Sequence, residues 1–425
     1  MIIHVVQQGD TMESIEDRYG VSKERLIQEN DILEPNKLAI GQTIVIVYAK
    51  QTYVIQDGDT LQKIADDFGV SIMQLLRNNP YLFDRDYIYP GETIVISYAD
   101  EKLGALSFNG YAYPFIDKKI LEKTLPFLTY VTIYSYVVTE DGTLNDIEDS
   151  EIVKIAREYG VMPMMMVTGL GKNSQKDIRE TNAFLLDHQV QDRFISNILT
   201  VLKKKDYYGV NISLPYVQPQ ARTLFIEFMQ KFTMKIKGEG YYVVSSLTIN
   251  TFEIMIDVRF DDFYLEKLGQ IFDGIMIITY EWGMSLGYPV ISVPIDSVKY
   301  TLENIIRIIP PEKVAFGLSG IGYLWTLPYV PGVSIGQSIG YNAAVGLAYE
   351  YGATIRYNEV SNASAFQYIS FQEYIGQVRD ARGIYRINNM LLQLGLDGIG
   401  VWNIMNFIGQ KWFVVNTQFE IKKVT

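Results

Sequence analysis

Tyr207-Tyr208-Gly209-Val210-Asn211-Ile212-Ser213-Leu214-Pro215-Tyr216-Val217 is the stretch whose reading decides the fold. Side chains alternate across a strand, so Val210, Ile212 and Leu214 share one face while Asn211, Ser213 and Pro215 share the other. The first face suits an apolar layer beneath helices, and the second suits the inside of a barrel. Further β-rich runs lie on either side: Leu128–Val138, Met162–Gly169, Tyr242–Leu247, Gly274–Tyr280, Lys313–Leu318 and Gly398–Trp402. Amphipathic stretches of helical length separate them. This β-then-α repetition over residues 106–425 predicts an α/β chain built as one parallel (β/α)8 TIM barrel. Barrel sites sit at the C-terminal ends of the strands, which puts Pro215 at the mouth. The stretch at about 320–380 is too long for one crossover.

Composition narrows the function. At 425 residues, 48% hydrophobic and 20% charged, the chain is long enough for two to four domains and large cores. It has no apolar run of membrane-spanning length. Its start lacks the basic, then apolar, pattern of a signal peptide, so synthesis in the cytoplasm is expected. With no cysteine and only His4 and His188, thiolate chemistry and a histidine-based metal site or serine triad are not expected. No cofactor is implied. A net charge of −12 opposes nucleic-acid binding.

An internal repeat fills the first 100 residues. His4-Val-Val-Gln-Gln-Gly-Asp-Thr11 aligns with Tyr53-Val-Ile-Gln-Asp-Gly-Asp-Thr60, and Gly41–Ile46 with Gly91–Ile96. Each unit reads as strand, helix, helix, strand. Gly9-Asp10 and Gly58-Asp59 are expected to turn the chain and cap a helix, Gly20 and Gly69 to stop it, and Ser71 to cap the next. A polar linker is expected at 99–105. This βααβ pattern resembles LysM, a module that binds N-acetylglucosamine-containing glycans, at residues 1–49 and 50–99. The resemblance implies one groove near Gly9, Asp10, Thr11, Asn30 and Ile32, and a second near Gly58, Asp59, Thr60, Asn79 and Pro80.

The remainder, 106–425, resembles glycoside hydrolase family 18, in particular its LysM-bearing branch acting on spore cortex peptidoglycan. The resemblance rests on Asn109-Gly-Tyr-Ala-Tyr-Pro-Phe-Ile116, Tyr130–Tyr136, Thr279-Tyr-Glu-Trp-Gly283, Gly322–Tyr329, Asp380-Ala-Arg382 and Gly398–Asn403. It implies a small α+β insertion at about 320–380 and a location at the spore or cell wall. The family pattern on the opening strand is D-x-x-D-x-D-x-E. Here Asn211 keeps the relatives' usual asparagine, but Ser213 replaces the last aspartate and Pro215 the proton-donating glutamate.

Family 18 uses substrate assistance: a glutamic acid protonates the glycosidic oxygen while the sugar's acetamide attacks the anomeric carbon. Serine ionises too high for that role and proline has no side-chain proton. A positioned proton donor contributes about 10²–10⁴ in rate. Leu324, Gly320-Ile321 and Arg379 also depart from the pattern. By resemblance Trp402 forms the floor of the central subsite, Tyr280 holds the acetamide, Glu281 follows it, and Tyr136, Trp282 and Trp325 line the walls. The expected function is therefore a non-catalytic binder of peptidoglycan, cortex or chitin fragments. Two alternatives stay open: a glycosidase using another acid such as Glu281, Glu253 or Asp257, or a scaffold contacting other spore-coat or wall proteins.

Overall fold

The computed structural model describes residues 1–85, 87–168, 185–214, 221–248, 262–278, 294–330 and 333–424. The first repeat runs β1 (Ile2–Val5), helices Met12–Tyr19 and Lys23–Asn30, then β2 (Thr43–Ile46). The second runs β3 (Ala49–Val54), helices Leu61–Phe68 and Ile72–Asn78, then β4 (Thr93–Tyr98). Each strand pair is antiparallel. Gly20 and Gly69 end the first helices at φ 66° and 65°, a left-handed conformation that costs glycine least. The helix caps differ from expectation. Thr11 and Thr60 supply them, accepting from the Ser14 and Lys63 amides at 3.1 Å. Asp10 and Asp59 instead close the preceding turn, accepting from the Gln7 and Gln56 amides at 2.8 Å.

Eight strands pair in parallel: β5 (Gly104–Ala112), β6 (Tyr130–Val137), β7 (Met162–Thr168), β8 (Gly209–Leu214), β9 (Tyr242–Thr248), β10 (Gly274–Ile278), β11 (Val314–Ser319) and β17 (Gly398–Trp402). Pairing of β17 with β5 closes the barrel. On β8, Val210 and Ile212 are fully buried in the layer that also holds Phe225, Phe228 and Phe232. Gly209 lets β9 approach: a Cβ there would lie 2.1 Å from the Tyr242 carbonyl oxygen. After β11 the chain makes a five-stranded antiparallel sheet from β12 (Gly322–Leu327), β13 (Gln337–Ile339), β14 (Arg356–Asn358), β15 (Ala363–Ile369) and β16 (Glu373–Val378). The helix Tyr341–Glu350 packs on it through Tyr341, Ala344, Val345 and Ala348.

The expected linker is not a free tether. Strand β5 begins at Gly104, the Leu103 amide donates to the Gln418 carbonyl at 2.7 Å, and Lys102 reaches the Asn416 carbonyl. Both repeats lie against the helix Gly409–Gln418, all ten residues of which are buried. Its polar side chains bond across the contact. Thr43 donates to Gln410 at 2.7 Å, and Asn416 donates to Asn78 at 2.8 Å. Lys123 adds ion pairs to Asp31 at 3.5 Å and Asp84 at 2.9 Å. The apolar part joins Val45 and Val47 to Ala381, Ile384, Phe413 and Val414. The two repeats are therefore seated on the barrel through packed and hydrogen-bonded surfaces.

Candidate functional site

The barrel interior at β8 is neutral. Asn211 is fully buried; its Nδ2 donates to the Tyr111 hydroxyl at 3.0 Å, and its Oδ1 accepts from Ser246 Oγ at 2.8 Å. Ser213 lies one inward step closer to the mouth, in register with Ser246 on β9, and its hydroxymethyl side chain offers no carboxyl. Pro215, Tyr280, Glu281, Trp282, Glu253 and Asp257 lie outside the described residues.

Trp402 ends β17 and centres a cluster of rings. Tyr134 stands edge-on to it at 4.9 Å between centroids, with Tyr113 at 5.7 Å and Tyr111 at 5.8 Å. Tyr113 stacks in turn on Phe115 at 5.3 Å, and Phe115 is 77% exposed. Tyr113, Phe115 and Tyr134 were not anticipated from the sequence. Tyr113 and Phe115 follow β5 and Tyr134 lies in the second half of β6, so the ring contacts run from Trp402 through Tyr113 to the exposed Phe115. The signal was available, since all three lie in or beside the C-terminal ends of barrel strands. Apolar ring faces with polar edges suit the flat CH faces and hydroxyl rims of sugars.

Tyr136 does not line the cleft. It is fully buried, and its hydroxyl donates to Asp149 Oδ2 at 2.6 Å. Tyr207 donates to the same oxygen, and Lys205 Nζ reaches Asp149 Oδ1 at 2.8 Å. The β6–β7 register slips between Ile133 and Tyr136. An irregularity of this kind re-aims the following side chains, and the wall position that the resemblance implied for Tyr136 is not the one it takes. Trp325 is also enclosed. It is 1% exposed on β12, and a Cβ at Gly336 would lie 2.6 Å from its Nε1. The loop carrying Gly336 covers the indole, so it contacts no cleft.

In the repeats, Asn30 and Asn79 are buried fasteners rather than groove residues. Asn30 donates to the Leu26 and Val45 carbonyls at 2.9 and 2.8 Å and accepts from the Val45 amide at 2.7 Å. Asn79 repeats the pattern with Leu75 and Val95. Each amide side chain replaces backbone partners that the end of a helix and a strand would otherwise lack. Pro80 is buried at the start of a short 3-10 turn, and Ile32 packs partly buried against the first repeat's core. Asp10 is held by His4 Nε2 at 2.9 Å and Arg18 at 3.2 Å. Burial opposes its ionisation, but the Gln7 amide and His4 outweigh that and hold its carboxyl below the usual value. The Tyr53 hydroxyl, the Gln56 amide and Lys63 bring Asp59 down to about 2. Of the expected groove residues, Gly9, Thr11, Gly58 and Thr60 are exposed, at the first turn of each repeat.

Similarity to known proteins follows this division. The glycosyl hydrolases family 18 pattern matches residues 106–406, and the LysM domain pattern matches 4–47 and 53–97. The chain is 31% identical to the "Cortical fragment-lytic enzyme" of Bacillus subtilis (strain 168), with 100% of each chain covered. It is 29% identical to the protein of that name in Bacillus anthracis, over 99% of each. The crystal structure of the spore cortex-lytic enzyme SleL of Bacillus megaterium QM B1551 superposes with a TM-score of 0.81 at 25% identity, covering 100% of this chain and 99% of that one. A chitinase of Chromobacterium violaceum, 18% identical, shares the fold at a TM-score of 0.63 over 73% of this chain and 98% of its own. With a pattern matched across most of its length and a full-length relative above 30% identity, the chain belongs to glycosyl hydrolase family 18, its barrel preceded by two LysM domains.

Proposed function

We propose that this protein holds N-acetylglucosamine-containing glycan, cortex peptidoglycan first among the candidates, and leaves it uncut. One observation carries the reading. The sequence positions at which the family's assisting aspartate and proton-donating glutamate are expected read Ser213 and Pro215, and neither side chain can protonate a leaving oxygen. Substrate-assisted cleavage loses both its acid and the carboxylate that steadies the acetamide as it gains positive charge. The binding half of the reading is supported by Trp402, which lies amid Tyr111, Tyr113 and Tyr134. The names of the full-length relatives favour cortex over chitin as the glycan. The two LysM domains supply further sites on the same polymer, and their fixed seating on the barrel raises the effective concentration of each for the next stretch of chain. The net charge of −12 repels anionic wall polymers at long range, so affinity has to come from short-range stacking and hydrogen bonds.

Calorimetric titration of the full chain with a soluble N-acetylglucosamine-containing oligosaccharide tests the binding half. Removing a central aromatic anchor from an interface typically costs about 2 kcal/mol or more, about 30-fold in affinity. Trp402→Ala is expected to remove one class of sites by that factor and leave the LysM sites unchanged. Unaltered binding in the variant would take the glycan off the barrel, and no binding by the parent would end the proposal.

A further inference from the structure

A small cavity lies between the C-terminal end of β11 and the inserted sheet, apart from the aromatic cluster. Ser319, Gly320, Tyr341, Arg379, Ile408 and Lys411 help to line it. Its enclosed volume is about 20 Å3, where a single water needs about 10–15 Å3. A sugar ring cannot enter it.

Lys411 is the anomaly. It is 3% exposed, and its Nζ has no hydrogen-bond partner among the described residues. The Trp412 ring, 4.6 Å away at its centroid, is its neighbouring cation acceptor. A buried ammonium without an oxygen or an anion beside it is strongly unfavourable. Burial pushes this amine down to about 7. No carboxylate lines the cavity. Asp31, whose Cβ abuts Gly409, turns its carboxylate to Lys123 at 3.5 Å. Asp380 is engaged by Arg382 at 2.6 Å and caps the helix Ala381–Leu394. The other cation at the wall, Arg379, spends its Nε on the Asn362 carbonyl at 3.3 Å.

Two further features converge on the same spot. Lys411 lies in the first turn of the helix Gly409–Gln418, whose N-cap residue, Ile408, offers no side-chain acceptor. Ile408 and Lys411 both line the cavity, so the positive end of that helix borders it. Gly320 keeps a side chain out of this spot: a Cβ there would lie 3.3 Å from Lys411 Nζ and from the Asn403 carbonyl oxygen, and 3.5 Å from that of Trp402.

We infer that this cavity is a small-anion site, taking one halide-sized monovalent anion against Lys411 Nζ at the N-terminal end of the helix Gly409–Gln418. Its occupant favours the charged form of the amine, against the burial that disfavours it, and ties the end of β11 to a helix on which both LysM domains rest. It needs no glycan and stands or falls separately from the function proposed above.

Crystals of the full chain soaked in bromide test it directly. The expected result is an anomalous peak in direct contact with Lys411 Nζ, absent from crystals of Lys411→Met. In solution, chloride should raise the unfolding midpoint above that in gluconate at equal ionic strength, and Lys411→Met should erase the difference. Should that variant fail to fold, the parent's bromide map decides alone. A map without a peak at Nζ overturns the assignment, whatever the melting data show. A chloride effect that persists in Lys411→Met does so too.

Discussion

Asp149→Ala is expected to be among the most destabilising single changes in the barrel, at about 3–5 kcal/mol, the range for removing one partner of a buried ion pair. Asp149 is fully buried and serves three donors: Tyr136, Tyr207 and Lys205. Two tyrosine hydroxyls with no solvent would lose their acceptor, and each buried unmet hydroxyl carries its own desolvation penalty. Lys205 is only 8% exposed and would keep Asp146 at 2.6 Å and the Ile147 carbonyl at 2.7 Å, which sets the loss toward the lower end. Burial together with the Asp149 carboxylate also pushes both tyrosines well above their ordinary ionisation range, so neither hydroxyl is lost as a donor at physiological pH. Urea unfolding of the two proteins measures the difference. Asp149→Asn should recover part of it, since an amide oxygen still accepts. A loss below about 1 kcal/mol, the net worth of one ordinary hydrogen bond, would mean that the network is not tying β6 to the segment that leads into β8.

Ser213→Asp combined with Pro215→Glu is expected to create at most weak hydrolysis. Restoring a positioned proton donor can return no more than the roughly 10²–10⁴-fold that such groups contribute. By the sequence resemblance, Leu324, Gly320-Ile321 and Arg379 are expected to depart from the family pattern as well, so two restored carboxyls would not rebuild the whole site. Below them, Asn211, Tyr111 and Ser246 form a neutral network already satisfied among themselves. A new carboxylate at 213 would gain little charge stabilisation from it. Reducing-end release by the double variant, compared with that of an active family member under the same conditions, is the measurement. Equal rates would show that the two substitutions alone silenced the site.

The barrel was legible because its parallel strands are short β-rich runs with apolar residues at the positions that face the helices. Val210 and Ile212 lie where alternation put them. The resemblance misled at Tyr136, which is fully buried with its hydroxyl on Asp149, beside an irregularity on β6 that a sequence match does not reveal. The LysM resemblance misled at Asn30 and Asn79: an asparagine near a turn suits a sugar contact as well as a buried fastener, and only the opposing strand shows which. The seating of the LysM domains was not legible at all. The helix Gly409–Gln418 mixes polar and apolar residues on every side, and its polar partners, such as Thr43 for Gln410, lie hundreds of residues away. The expected linker failed for the same reason, because Leu103 is held by Gln418.

The central claim is that glycan is gripped and not cut. Purified cortex fragments of known length should be incubated with the unmodified full-length protein, and both sedimentation with the polymer and the appearance of new reducing ends followed over time. The account predicts co-sedimentation with no increase in reducing ends above a protein-free control. A steady, protein-dependent increase, abolished by Glu281→Gln, would contradict it and would assign the missing proton to another acid.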